Sequence, residues 1–247
     1  MPEAESSKLT VEAAAARVRG ELVPLTSKFS YFTMLPMAEE DLRQYLHDPV
    51  AALSPAICAA LPQIGIVLVP FLEKNGKEGD MVSFEPPSEA KFVSLARRGG
   101  DGMELLLLPI KDLDPADYHY TLYGAIATLV AERWAPEVQE PFFRLLREEL
   151  SGEVHGEVDE RSWHLKQALL RRQSNVRRET KLFRDYARQA FEDTLTLYLH
   201  GTCCDIDVET GPRQMASRHL RRRLELLMEL YPPPEGYAVL PEQLKTR

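Results

Sequence analysis

Between residues 64 and 110 the chain reads as strands, and beyond Pro115 it reads as helices. Ile64–Leu72 (IGIVLVPFL) is apolar and β-branched, and the polar turn EKNGKEGD follows it. Met81–Phe84 is a short strand closed by EPPSE. Lys91–Ala96 and Met103–Ile110 flank ARRGGDG, whose glycines favour a tight reversal. These segments predict a small antiparallel sheet of three or four strands. Helical spacing then takes over in Asp117–Trp134, Glu137–Leu150, 161–199 and Pro212–Leu230, and Pro232-Pro233-Pro234 ends it. Strands gathered in one stretch and helices in another specify an α+β fold, with the sheet packed against a mainly helical C-terminal half.

Ahead of the strands, residues 1–8 read as a frayed terminus, and Thr10 as the cap of a short helix over 11–20. Glu39–Ala52 and Ser54–Leu61 carry helical polarity. No repeat, low-complexity tract or long linker interrupts the 247 residues, so a single domain is expected. The polar, glycine-punctuated SGEVHGEVDE (151–160) is the best candidate for a sub-boundary. Apolar runs such as Ile64–Leu72 are far too short to span a bilayer. The acidic N-terminus lacks a signal-peptide core, and three cysteines make no disulfide framework. A cytoplasmic setting without membrane partners is the expectation.

Residues 161–199 read as one long amphipathic helix. Leu165, Leu169, Val176, Phe183, Ala187, Ala190, Thr194 and Leu197 share a stripe at 100° per residue, and Lys166, Arg171, Arg177, Arg178, Lys181, Arg184 and Arg188 fall on the other side. The whole chain carries a net charge of −8, so this face inverts the local sign. A continuous helix would span near 57 Å by its rise of ~1.5 Å per residue, and Ser174-Asn175 is the natural place for a break. Arg213, Arg218, Arg221, Arg222 and Arg223 on the last helix extend the basic surface, with Leu220, Leu224, Leu227 and Met228 as that helix's core stripe. Arginine forks suit acidic protein surfaces and phosphates alike. Aromatics are sparse on this face, which disfavours base stacking.

No nucleophile elbow, phosphate loop or dinucleotide fingerprint is present. His47, His119, His155, His164 and His219 are scattered over separate elements. In YLHGTCCDIDVETG (198–211), His200, Cys203, Cys204, Asp205 and Asp207 supply zinc- or iron-type donors at spacings that suit neither metal. Asp205, Asp207 and Glu209 alternate as calcium ligands would, but Ala216 stands where the bidentate acid belongs.

The strand Met103–Ile110, a loop, and then a helix containing TLYGAIATLV (121–130) resemble the passage found in zincin metallopeptidases. There the strand borders the substrate cleft and the next helix carries the HExxH zinc motif. The resemblance covers roughly 64–130 in element order and only a few letters in motif. Gly124 stands for the first histidine, Ala125 for the glutamate and Thr128 for the second histidine. Phe191-Glu192-Asp193 echoes a later helix on which some zincins place a further acidic ligand. With two imidazoles and a carboxylate missing, the resemblance implies a scaffold without zinc or peptidase chemistry.

The sequence therefore points to no catalytic, metal or cofactor residues. It favours a non-catalytic protein acting through contact with an acidic protein surface or by self-association. A nucleic-acid-binding module using the same arginines, and a hydrolase with a non-standard metal site drawn from His155, His164, His200, Cys203 or Asp205, remain the alternatives.

Overall fold

The computed structural model describes residues 8–76, 79–100, 102–171, 178–203 and 215–240. The chain gathers into two compact units, the first formed by Met1–Ala51 and Leu61–Ala125, the second by Ala52–Ala60 and Ile126–Arg247. The division falls inside a helix, and the loop 151–160 lies within the second unit.

In the first unit, β1 (Lys8–Thr10) leads into α1 (Val11–Val18), where the Thr10 hydroxyl accepts from the Ala13 amide as expected of its cap. β2 (Val23–Pro24) and β3 (Phe29–Thr33) follow, then the helical turns α2 (Glu39–Leu42) and α3 (Asp48–Ala51), joined by a wider π-type stretch at Arg43–His47. Beyond α4 (Pro55–Ala60), which belongs to the second unit, come β4 (Gln63–Val69), β5 (Phe71–Lys74), β6 (Asp80–Ser83), β7 (Ala96–Gly100) and β8 (Met103–Pro109).

The strands make two sheets. A three-stranded antiparallel sheet runs β1-β6-β5, and a five-stranded mixed sheet runs β2-β3-β4-β8-β7. The small antiparallel sheet is as expected; the larger sheet is not, because β3, β4 and β8 are mutually parallel at its centre. Ile64–Leu72 is also two strands rather than one. Pro70, which has no N–H to donate, separates β4 in one sheet from β5 in the other. The expected reversal is present: Gly100 lies opposite Met103, with Gly102 at φ +77°. The strand it joins is Ala96–Gly100, however, not Lys91–Ala96.

Central parallel strands are covered on both faces, which explains their unbroken apolar sequence. Ile64, Ile66, Val67 and Leu68 of β4 and Leu105–Leu108 of β8 are all fully buried. One side of this ladder packs Val67, Val69, Leu105 and Leu107 against Val11, Ala14, Ala15 and Val18 of α1. Gly65 permits a close approach, since a Cβ there would lie 2.5 Å from Leu105 Cδ2.

α5 (Pro115–Ala131) starts where Asp114 accepts from the Ala116 amide, and it crosses from the first unit into the second. The second unit continues with α6 (Pro136–Ser151), α7 (Glu160–Leu170), α8 (Lys181–Cys203) and α9 (Ser217–Leu230). Residues 161–199 are thus not one helix. Asp159 caps α7, whose helix stops at Leu170, and α8 restarts at Lys181. The expected break at Ser174-Asn175 lies outside the described residues. Gly201 is buried within α8. No described helix is long and apolar enough to cross a membrane.

Candidate functional site

The basic side chains proposed as a contact surface separate into three groups. Lys166 is a correction: it is 2% exposed, donates to the Gly156 carbonyl at 2.9 Å and sits 3.1 Å from Glu157 Oε1. Its place on α7 follows Ser162 by four residues and precedes Leu169 by three, so it falls in that helix's buried stripe. A second group is exposed but tied to other side chains of the same chain. Arg188 Nε donates to Glu192 Oε1 at 2.9 Å and its Nη2 lies 3.9 Å from Glu132; Arg222 pairs with Glu148. Arg218 donates to His219 Nε2 at 3.0 Å.

The third group forms one end of the α7–α8 hairpin. Arg171, Arg178, Lys181 and Arg184 are all exposed there, with Glu179 among them, 3.7 Å from Arg184. Leu170 and Leu182 stand among them at 42% and 39% exposure. Arg221 is exposed on α9, and Arg177 and Arg213 lie outside the described residues.

Arg223 is the largest departure from expectation. Instead of facing solvent beside Arg221 and Arg222, it is fully buried at the meeting of α6, α7, α8 and α9. Its Nε reaches both oxygens of Glu149 at 3.2 and 3.1 Å, and Nη2 donates to Glu149 Oε2 at 2.6 Å. Nη1 and Nη2 donate to Glu157 at 2.8 and 3.0 Å, and the Tyr186 hydroxyl donates to Glu157 Oε1 at 2.5 Å. Burial pushes the Glu157 carboxyl up, but the Arg223 guanidinium, Lys166 and Tyr186 outweigh it and hold it below the usual carboxylate range. Burial and the Glu157 charge push the Tyr186 hydroxyl well above its ordinary value. Two cations and two carboxylates thus neutralise one another inside the second unit. The sequence did carry a signal: Leu220, Arg223, Leu224 and Leu227 occupy one i, i+3, i+4, i+7 stripe.

Between α5, the start of α7 and the middle of α8 lies an open groove of about 930 Å³. Asp159, Glu160, Asp185 and Glu192 line it against Arg161, Arg188 and His164, with Leu165 as its apolar element. Thr128 donates to Glu192 Oε2 at 3.3 Å across its wall. Asp193, beside the groove, accepts from Gln189 at 2.7 Å. Burial pushes its carboxyl up to about 6, Asp159 and Glu192 adding to the effect while Ser162 and Gln189 oppose it.

Gly124, Ala125 and Thr128 lie on α5, directly after strand β8. None offers an imidazole or carboxylate. Among the described residues no three His, Cys, Asp or Glu side chains come together as a metal site would require. Cys203 ends α8 as a free thiol, and Cys204, Asp205, Asp207 and Glu209 lie outside the described residues. Set against known protein families, curated proteins and solved structures, the chain finds no match in any of the three.

Proposed function

We propose that the chain is a non-catalytic protein that works through protein–protein contact, using the basic end of the α7–α8 hairpin. The observation that carries this reading is the pair of exposed leucines, Leu170 and Leu182, set among Arg171, Arg178, Lys181 and Arg184. Apolar side chains rimmed by mainly positive charge suit an acidic protein surface, where leucine burial supplies affinity and the cations supply steering. A phosphate backbone would reward a longer cationic track. Here Lys166 is internal and Arg188 and Arg222 are already paired, so the track is short.

The scaffold fits a zincin-like protein whose active site has been emptied. Supporting this are the passage from β8 into α5 and the hydrogen bond from Thr128 to Glu192, the positions of the lost second histidine and of the later acid. A reducing cytoplasmic setting suits Cys58 and Cys203, neither of which forms a disulfide.

The test is capture of partners by the tagged full chain at low salt, with and without nuclease, beside the Arg171→Glu/Lys181→Glu variant. The expected result is a protein that survives nuclease and is lost from the variant. Loss of all captured material on nuclease treatment would refute protein contact and transfer the basic surface to nucleic acid.

A further inference from the structure

We infer that the acidic surface met by this hairpin is the same hairpin on a second copy of the chain, laid antiparallel across it about a two-fold axis. The inference rests on the contact reading above and names its partner. Its ground is the way charge is distributed along α7 and α8.

The groove brings Asp159 and Glu160, at the start of α7, beside Asp185, Arg188 and Glu192 of α8. The two helices therefore run antiparallel, and each end of the hairpin has a character of its own. On the outer face of α7, Glu160, His164, Gln167 and Arg171 recur every three or four residues, and the sign passes from negative to positive over roughly 16 Å. At the far end, among the described residues, Arg171, Arg178, Lys181 and Arg184 outnumber Glu179, and Asp185, the next residue after Arg184, marks where the sign turns on α8. At the groove end, Asp159, Glu160, Asp185 and Glu192 outnumber Arg161, Arg188 and His164; Arg188 is already held by Glu192 and Glu132, and His164 lies 3.4 Å from Glu160.

A surface positive at one end and negative at the other complements itself only when the second copy is turned end for end. A two-fold axis performs that operation, and it satisfies both contacts at once. A parallel arrangement would set like charge on like. The apolar groups agree with the same pairing. Leu170 and Leu182 stand exposed at the basic end, and the acidic groove is open and floored in part by Leu165. Each copy thus offers the other both leucines and a place to bury them. Both molecules carry a net charge of −8, so attraction is confined to this local pattern and is screened as ionic strength rises.

Sedimentation velocity of the purified full chain, across protein concentration and at low and high salt, tests this. The expected result is a dimer at low salt that moves toward monomer at high salt. Arg171→Glu/Lys181→Glu and Glu160→Lys/Asp185→Lys should each sediment as monomers, and an equimolar mixture of the two should recover the dimer. That recovery also shows that both variants are folded. Leu170→Ser/Leu182→Ser should weaken the dimer without altering charge. A wild-type chain that is monomeric throughout overturns the inference, as does a dimer indifferent to both reversals or a mixture that stays monomeric. A monomeric chain that still captured a nuclease-resistant partner through Arg171 and Lys181 would leave the contact reading standing and remove only the second copy.

Discussion

Replacing Arg223 by methionine should cost the second unit about 3 kcal/mol at pH 7, whereas the same change at Arg222 should cost less than about 1 kcal/mol. The two arginines are neighbours in sequence and differ in everything else. Arg223 is fully buried between two buried carboxylates, while the Arg222–Glu148 pair is about half exposed on both sides. Breaking a buried ion pair from one side costs about 3–5 kcal/mol because the remaining charge is stranded. The lower end of that range applies here. Glu157 keeps Lys166 at 3.1 Å and Tyr186 at 2.5 Å, and methionine preserves most of the side-chain volume. Glu149 is the group left bare.

Denaturation followed by tryptophan fluorescence isolates the relevant unit, since the two tryptophans, Trp134 and Trp163, both belong to it. At an m-value of about 1.5 kcal/mol/M, the urea midpoint should fall by about 2 M. The loss should also shrink with acidity. In the native chain Glu157 is held below its ordinary value, so its contribution is present above the unfolded-state value and is lost as pH falls through the folded one. Without the guanidinium, burial of the same carboxyl is offset only by Lys166 and Tyr186, and its ionised form becomes costlier. Its penalty is then full at neutral pH and fades as pH drops toward the unfolded-state value. A loss under about 1 kcal/mol, or one that does not change between pH 7 and about pH 5, would refute this account of the cluster.

Two further outcomes follow from single positions. Asp193 is pushed up to about 6 by burial, so its charged form opposes folding above that pH. Asp193→Asn should stabilise the second unit by roughly 1–3 kcal/mol at pH 7.5 and leave it unchanged near pH 4, read by the same fluorescence titration. A gain equal at both pH values would contradict it. Gly65→Val in β4 must drive a branched side chain into Leu105 and Leu22, and should lower the stability of the first unit by about 1–3 kcal/mol, measured by thermal unfolding in circular dichroism.

Local signals in the sequence account for much of the fold. Thr10 caps α1, Pro115 and Pro136 open α5 and α6, and Pro232 follows the end of α9, because caps and prolines act over a few residues. Pairing between strands distant in sequence has no such local mark. The parallel union of β3, β4 and β8, and the change of sheet at Pro70, depend on what each strand meets. The 161–199 stripe misled because two helices in one hairpin bury similar spacings of apolar residues, and the pattern runs on across the break. At the candidate site, Arg171, Arg178, Lys181 and Arg184 were legible as exposed cations. For Lys166 and Arg223 the helical stripe marked the position but not the burial, because charged side chains are buried only when paired, and their partners Glu149 and Glu157 come from other segments.

Leucines grip a neighbouring helix without specifying which turn they grip. On α9, Leu220, Leu224 and Leu227 repeat closely enough that a slip of one helical turn, about 5.4 Å, would still bury hydrocarbon against hydrocarbon. The guanidinium between them allows no such latitude, since its fork meets Glu149 and Glu157 together at a single setting of the helix. In α9 the apolar stripe holds the helix down, and Arg223 fixes its register.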